Sequence, residues 1–77
     1  MSKLPAVKGK EMVKFLQSKG FEVVGTKGSH VRLKKKIDKK ILLTIVAVHG
    51  NKTMPMGTLM AILKQTEISK EELIEGF

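Results

Sequence analysis

Gly28-Ser29-His30-Val31-Arg32-Leu33-Lys34-Lys35-Lys36, followed by Ile37-Asp38-Lys39-Lys40 and the run Ile41-Leu42-Leu43-Thr44-Ile45-Val46-Ala47-Val48, reads as two consecutive β-strands and a turn. Side chains alternate across a strand, so His30, Arg32 and Lys34 share one face while Val31 and Leu33 take the other. The first face is cationic and polar, and the second is apolar. Ile37-Asp38-Lys39-Lys40 can make the hairpin connection. The strand after it is rich in β-branched residues and nearly apolar throughout, which places it at the centre of the sheet.

Working outward, Met12, Phe15, Leu16 and Lys19 follow the i, i+3, i+4, i+7 spacing of an amphipathic helix over residues 7–19. The lysine stem completes that stripe while its charge stays in water. Gly20 is placed to end the helix in a left-handed conformation. Phe21 to Thr26 forms a short first strand, and Lys27-Gly28 turns the chain into the second. Residues 49–57 make the one extended loop. Thr58 then reads as the N-cap of a helix whose Leu59, Ile62, Leu63 and Thr66 repeat the apolar spacing. Ser69-Lys70-Glu71-Glu72 is a capping-box pattern that opens a last short helix. The order α-β-β-β-α, plus that short helix, predicts an α+β fold. Two helices would cover one face of a three-stranded antiparallel sheet and leave the other face open. Residues 1–77 contain no repeat, linker or low-complexity segment and are expected to form one domain.

The charge balance is uneven. Residues 1–66 carry 14 Lys or Arg against three acidic residues, a net +11, whereas residues 67–77 carry Lys70 against four glutamates, a net −3. A basic body of this kind suits nucleic acid or an acidic protein partner. Arg32 is the sole arginine, and lysine meets phosphate as a point charge without the fork that reads bases. With no Trp or Tyr and three phenylalanines placed as core residues, a stacking platform for single-stranded bases is not expected. Backbone contact should dominate over base reading. There is no cysteine, which excludes disulfides and thiolate chemistry. No apolar run is long enough to span a bilayer, and Met1-Ser2-Lys3-Leu4-Pro5 carries no hydrophobic signal segment. The expected setting is the cytoplasm, with no membrane partner.

His30 is the leading candidate for chemistry. A neutral imidazole can take the proton of a ribose 2′-hydroxyl, which then attacks the adjacent phosphorus. Nearby cations stabilise charge on the transition state, and the step needs no metal. Gly28 and Ser29 allow close approach and supply a hydroxyl. His49 is the second candidate and can give a proton to the leaving 5′-oxygen, as in two-histidine nucleases. Whether it shares His30's face depends on the hairpin register, since a slip of one residue reverses the answer. The other reading of His49 is a strand-end residue bonded to backbone. Lys52 and Gly57-Thr58 at a helix start form a third, phosphate-attracting candidate, although Thr58 can equally act as a cap alone. Lys27, Lys34 and Lys36 complete the cationic set. Two histidines without an acidic or thiol neighbour make a poor metal site, so no metal or other cofactor is expected. Without the imidazole chemistry, the same face would serve a non-catalytic module that binds duplex RNA by shape, or a surface that docks an acidic protein.

An ordered set of fragments carries a resemblance. Gly20-Phe21, Gly28-Ser29-His30, Val48-His49-Gly50, Gly57-Thr58-Leu59 with Ile62-Leu63, and Ile68-Ser69 together resemble the HicA (YcfA-like) toxin family over nearly the whole chain. The resemblance implies a double-stranded-RNA-binding-domain-like fold, in agreement with the order read from periodicity. It further implies a ribosome-independent mRNA interferase of a type II toxin–antitoxin system. The partners implied are mRNA and a HicB-like antitoxin protein, the latter open to a higher-order toxin–antitoxin complex. The histidine of the Gly-Ser-His motif is catalytic in that family, a role that falls on His30. One departure is that the family commonly has proline two residues before the second histidine, where this chain has Ala47.

Overall fold

Two tight turns set the sheet. The chain reverses at Gly28-Ser29, between Lys27 and His30, and again at Asp38-Lys39, between Ile37 and Lys40. The first residue of each turn has positive φ, 59° at Gly28 and 52° at Asp38. Glycine adopts this geometry freely and aspartate tolerates it. The turns join β1 (Glu22–Lys27), β2 (His30–Ile37) and β3 (Lys40–Ala47) into an antiparallel sheet of order β1-β2-β3. The computed structural model describes residues 4–77, so the Met1-Ser2-Lys3 part of the segment read above as lacking a signal lies outside the described residues.

The alternation expected in β2 is present. Leu33 is fully buried and Val31 half-buried on the inner face, while His30 and Arg32 are exposed on the outer one. The central position expected for β3 is not found. Two consecutive short hairpins put the middle strand of the sequence, β2, at the centre, and β3 lies at an edge. Its apolar character therefore has two causes. Leu42 and Val46 face the helices, whereas Ile41, Leu43 and Ile45 stand on the open face with 56%, 60% and 53% of their surface exposed. Thr44 occupies an inner position instead, its hydroxyl donating to Gln65 Oε1 at 2.8 Å.

The helices cover only the inner face. Helix α1 (Gly9–Ser18) buries Met12, Phe15 and Leu16, as its spacing predicts. The backbone N–H of Lys8 donates to the Glu11 carboxylate at 3.0 Å at its start. At its end Gly20 takes φ 97°, and Lys35 donates to the Lys19 carbonyl at 2.6 Å. Helix α2 (Met56–Thr66) packs on β3 through Leu59, Ile62 and Leu63. It begins three residues before the expected start, with Pro55 rather than Thr58 at the N-cap. Pro55 has no side-chain cap to offer, but its carbonyl accepts the Leu59 N–H at 3.0 Å, and Thr58 becomes the third helical residue. Helix α3 (Lys70–Gly76) opens with the expected capping box, in which Glu72 N–H donates to Ser69 Oγ at 3.1 Å. Leu73 is buried, and Phe77 lies against Phe15 with ring centroids 5.5 Å apart, so the acidic tail docks on α1.

At Gly9 the first turn of α1 lies close against the end of β3. A Cβ there would overlap the Ala47 carbonyl oxygen and come within 3.0 Å of Val48 Cα. Gly57, in the first turn of α2, faces open space. Gly9→Ala is therefore expected to lower stability by about 1–3 kcal/mol through overpacking. Gly57→Ala should raise it by roughly 0.4–1 kcal/mol by restricting the unfolded chain. Urea unfolding of both variants beside the parent checks the pair, and equal midpoints would show that α1 shifts away from β3 at no cost.

Candidate functional site

The outer face of β2 carries His30, Arg32, Lys34 and Lys36 in a row, and strand pairing gives the first three a neighbour on either side and Lys36 one on β3 alone. On β1 the partners are Lys27 opposite His30, Gly25 opposite Arg32 and Glu22 opposite Lys34. On β3 they are Ala47, Ile45, Leu43 and Ile41 in the same order. A cationic row thus runs between a mixed strand and an apolar one. Lys35 and Lys40 leave this face. Lys35 lies over the Phe21 ring on the helix side, and Lys40 pairs with Glu67.

A bulge between Val23 and Gly25 shifts the register of β1 and brings Gly25 opposite Arg32. A Cβ at Gly25 would sit 3.7 Å from Arg32 Nε, so the guanidinium lies across the strand where no side chain intervenes. Gly25, Thr26, Lys27, His30, Arg32 and Ile45 enclose an open cleft of about 640 Å³. Ser29, half-buried in the turn, accepts the Val48 N–H on its carbonyl at 2.7 Å.

That bond carries the β2–β3 ladder one step beyond β3, and it decides where His49 goes. Ala47 pairs with His30 on the outer face, so the alternation returns His49 to the same side. The two imidazoles meet edge to face, with ring centroids 6.3 Å apart and planes at 87°. The loop after His49 is held from two directions. Lys52 N–H donates to the His49 carbonyl at 3.1 Å, and Met54 N–H donates to the Val7 carbonyl at 2.8 Å. With Ala47 in place of proline, the strand exit is set by the Ser29 bond and by the close approach of Gly9. His49 also lines a second cavity, of about 380 Å³, with Ala47, Lys52, Met54, Pro55 and Thr58.

The structure therefore brings the expected residues together in two sets joined at the histidines. Lys27, His30, Arg32, Lys34 and Lys36 lie on the sheet. Lys52 and Thr58 lie beyond His49, around the second cavity. Sequence reasoning missed Gly25, Ile45, Met54 and Pro55. For Gly25 the available signal was a glycine inside a strand, a mark of bulges and close approach. Ile45 gave no signal, because both faces of β3 are apolar.

This fold and face define a class, a small α-β-β-β-α protein with one solvent-facing, cationic side to its sheet. A model of the HicA toxin of bacterial toxin–antitoxin systems matches residues 9–68, and the chain belongs to that family. It is the toxin of a toxin–antitoxin system, and a cognate antitoxin is its implied partner. No curated protein matches the chain. The match runs from the first residue of α1 to just beyond α2 and contains both histidines. Among the described residues, no helix is long and apolar enough to cross a membrane.

Proposed function

We propose that the toxin is a metal-independent endoribonuclease, an mRNA interferase in which His30 is the general base. The observation that supports this most is the position of His30, exposed and lining an open cleft with Lys27 and Arg32. An RNA strand over the open face would meet His30 where the imidazole takes the 2′-hydroxyl proton. The freed oxygen attacks the adjacent phosphorus, the bond to the 5′-oxygen breaks, and a 2′,3′-cyclic phosphate forms. Lys27 and Arg32 stabilise the charge gathering on the phosphoryl oxygens. No step requires a metal ion.

Lys27, Ser29, Arg32, Lys34, Lys36, His49, Lys52 and Thr58 make up the RNA-binding set. Their chemistry is contact with phosphate and sugar, which positions RNA without reading its bases. The antitoxin covers this same face. An acidic surface meets the β2 row, and apolar side chains meet Ile41, Leu43 and Ile45 beside it.

His30→Ala is expected to abolish cleavage, by about 10²–10⁴-fold in rate, while leaving the circular dichroism spectrum and most RNA affinity intact. A folded variant that cuts at the parent rate removes His30 as the base. A parent protein that binds RNA without cutting it is the non-catalytic module instead.

Cleavage should persist in EDTA and leave a 2′,3′-cyclic phosphate or its 3′-phosphate hydrolysis product. An oligonucleotide with one 2′-deoxy sugar at the scissile position should resist. Equal cutting of that oligonucleotide and the all-ribose strand would refute attack by the 2′-hydroxyl.

Amide hydrogen exchange on free and antitoxin-bound toxin should show new protection across residues 29–35 and β3. Protection confined to α1 and α3, with RNA still bound in the complex, would mean inhibition at a distance from the site.

A further inference from the structure

Once the 2′-oxygen has attacked, the departing 5′-oxygen needs a proton, and His30 has just taken one from the other side of the phosphorus. A second proton carrier near the same phosphodiester completes the reaction. The geometry points to His49 as the general acid of this site, an inference that rests on the nuclease reading above. Three observations support it. The rings of His30 and His49 are 6.3 Å apart and perpendicular. With acid and base contacts of about 2.6–3.2 Å, two imidazoles at that spacing can reach one phosphodiester. Both rings are exposed on the same side of the sheet, so a strand lying there meets both.

The third observation sets the direction of the chain. His30 borders the cleft formed by β1 and β2, and His49 borders the cavity between Ala47 and the start of α2. The cavity's volume of about 380 Å³ lies within the roughly 300–1,000 Å³ of small-molecule sites. Met54, Pro55 and Ala47 give it an apolar floor, while Lys52 and Thr58 stand at its polar side. The nucleoside bearing the 2′-hydroxyl then lies on the His30 side, and the leaving nucleoside lies toward this cavity. Protons balance over the turnover. His30 gains the 2′-hydroxyl proton and His49 loses one to the 5′-oxygen, leaving a cyclic phosphate and a 5′-hydroxyl. Exchange with water restores both rings.

A sulfur leaving group separates an acid from a residue that only holds RNA, because a thiolate departs without being protonated. Two oligoribonucleotides carrying the toxin's mapped cleavage site would be compared, one natural and one with sulfur replacing the scissile 5′-oxygen. His49→Ala and His49→Gln should cut the natural strand about 10²–10⁴-fold more slowly than the parent, yet cut the sulfur strand at close to the parent rate. His30→Ala should be slow on both. His49 variants that cut the natural strand at the parent rate overturn the inference. Folded His49 variants that are equally slow on both strands overturn it too, and leave His49 as a positioning or binding residue. A parent protein that cuts no RNA, and so yields no site to map, overturns the nuclease reading itself, a result distinct from either.

Discussion

The pairing of Ile37 with Lys40 across the Asp38-Lys39 turn is the constraint on which the rest of the structure depends. Once those two residues face each other, every later pair in the ladder follows, through Leu33 with Thr44 to His30 with Ala47. Side-chain period and pairing register together assign each residue to a face. A slip of one residue in β3 would turn Leu42 and Val46 outward and bring Ile41, Leu43 and Ile45 under the helices. It would also carry His49 away from His30. The sheet's core contact and the histidine pair therefore share one cause, and the Ser29–Val48 bond extends that cause into the loop.

The open face combines two kinds of surface. Its central strand is cationic, while the edge strand beside it is apolar and carries a charged residue only at Lys40. Exposed edge strands pair readily with other chains, and proteins commonly blunt them with charge or proline. Little of that protection is present along β3. An exposed apolar row bordered by charge marks an interaction surface, which suits a toxin whose family implies an antitoxin partner. The acidic tail does not compete for this face, since α3 lies against α1 with Glu72 3.5 Å from Lys19.

Much of the fold was legible because its signals are local. The apolar stripe of α1, the glycine at its end and the Ser69–Glu72 capping box each depend on residues within a few positions of one another. The alternation of β2 was equally clear, because its two faces differ in chemistry. β3 was misread because its faces do not differ. An apolar run of that length fits a central strand buried on both sides as well as an edge strand with an exposed apolar face, and composition alone does not choose. Thr58 reads as a cap because its residue type suits that role, while Pro55, the residue found at the N-cap, resembles loop punctuation.

The chain's own residues determined the order of elements, the cationic row on β2 and the candidacy of His30, because alternation and helical periodicity are properties of the local backbone. They also determined a positive charge carried almost wholly by lysine, which follows from composition. The tertiary structure alone decided which strand lies at the centre, that Arg32 crosses a glycine at a bulge, and that His49 reaches His30. Each of these depends on how separate strands and loops are set against one another. Distance between side chains on different strands is fixed by pairing register and by the loop's bonds to Val7 and Ser29, and no run of neighbouring residues encodes it.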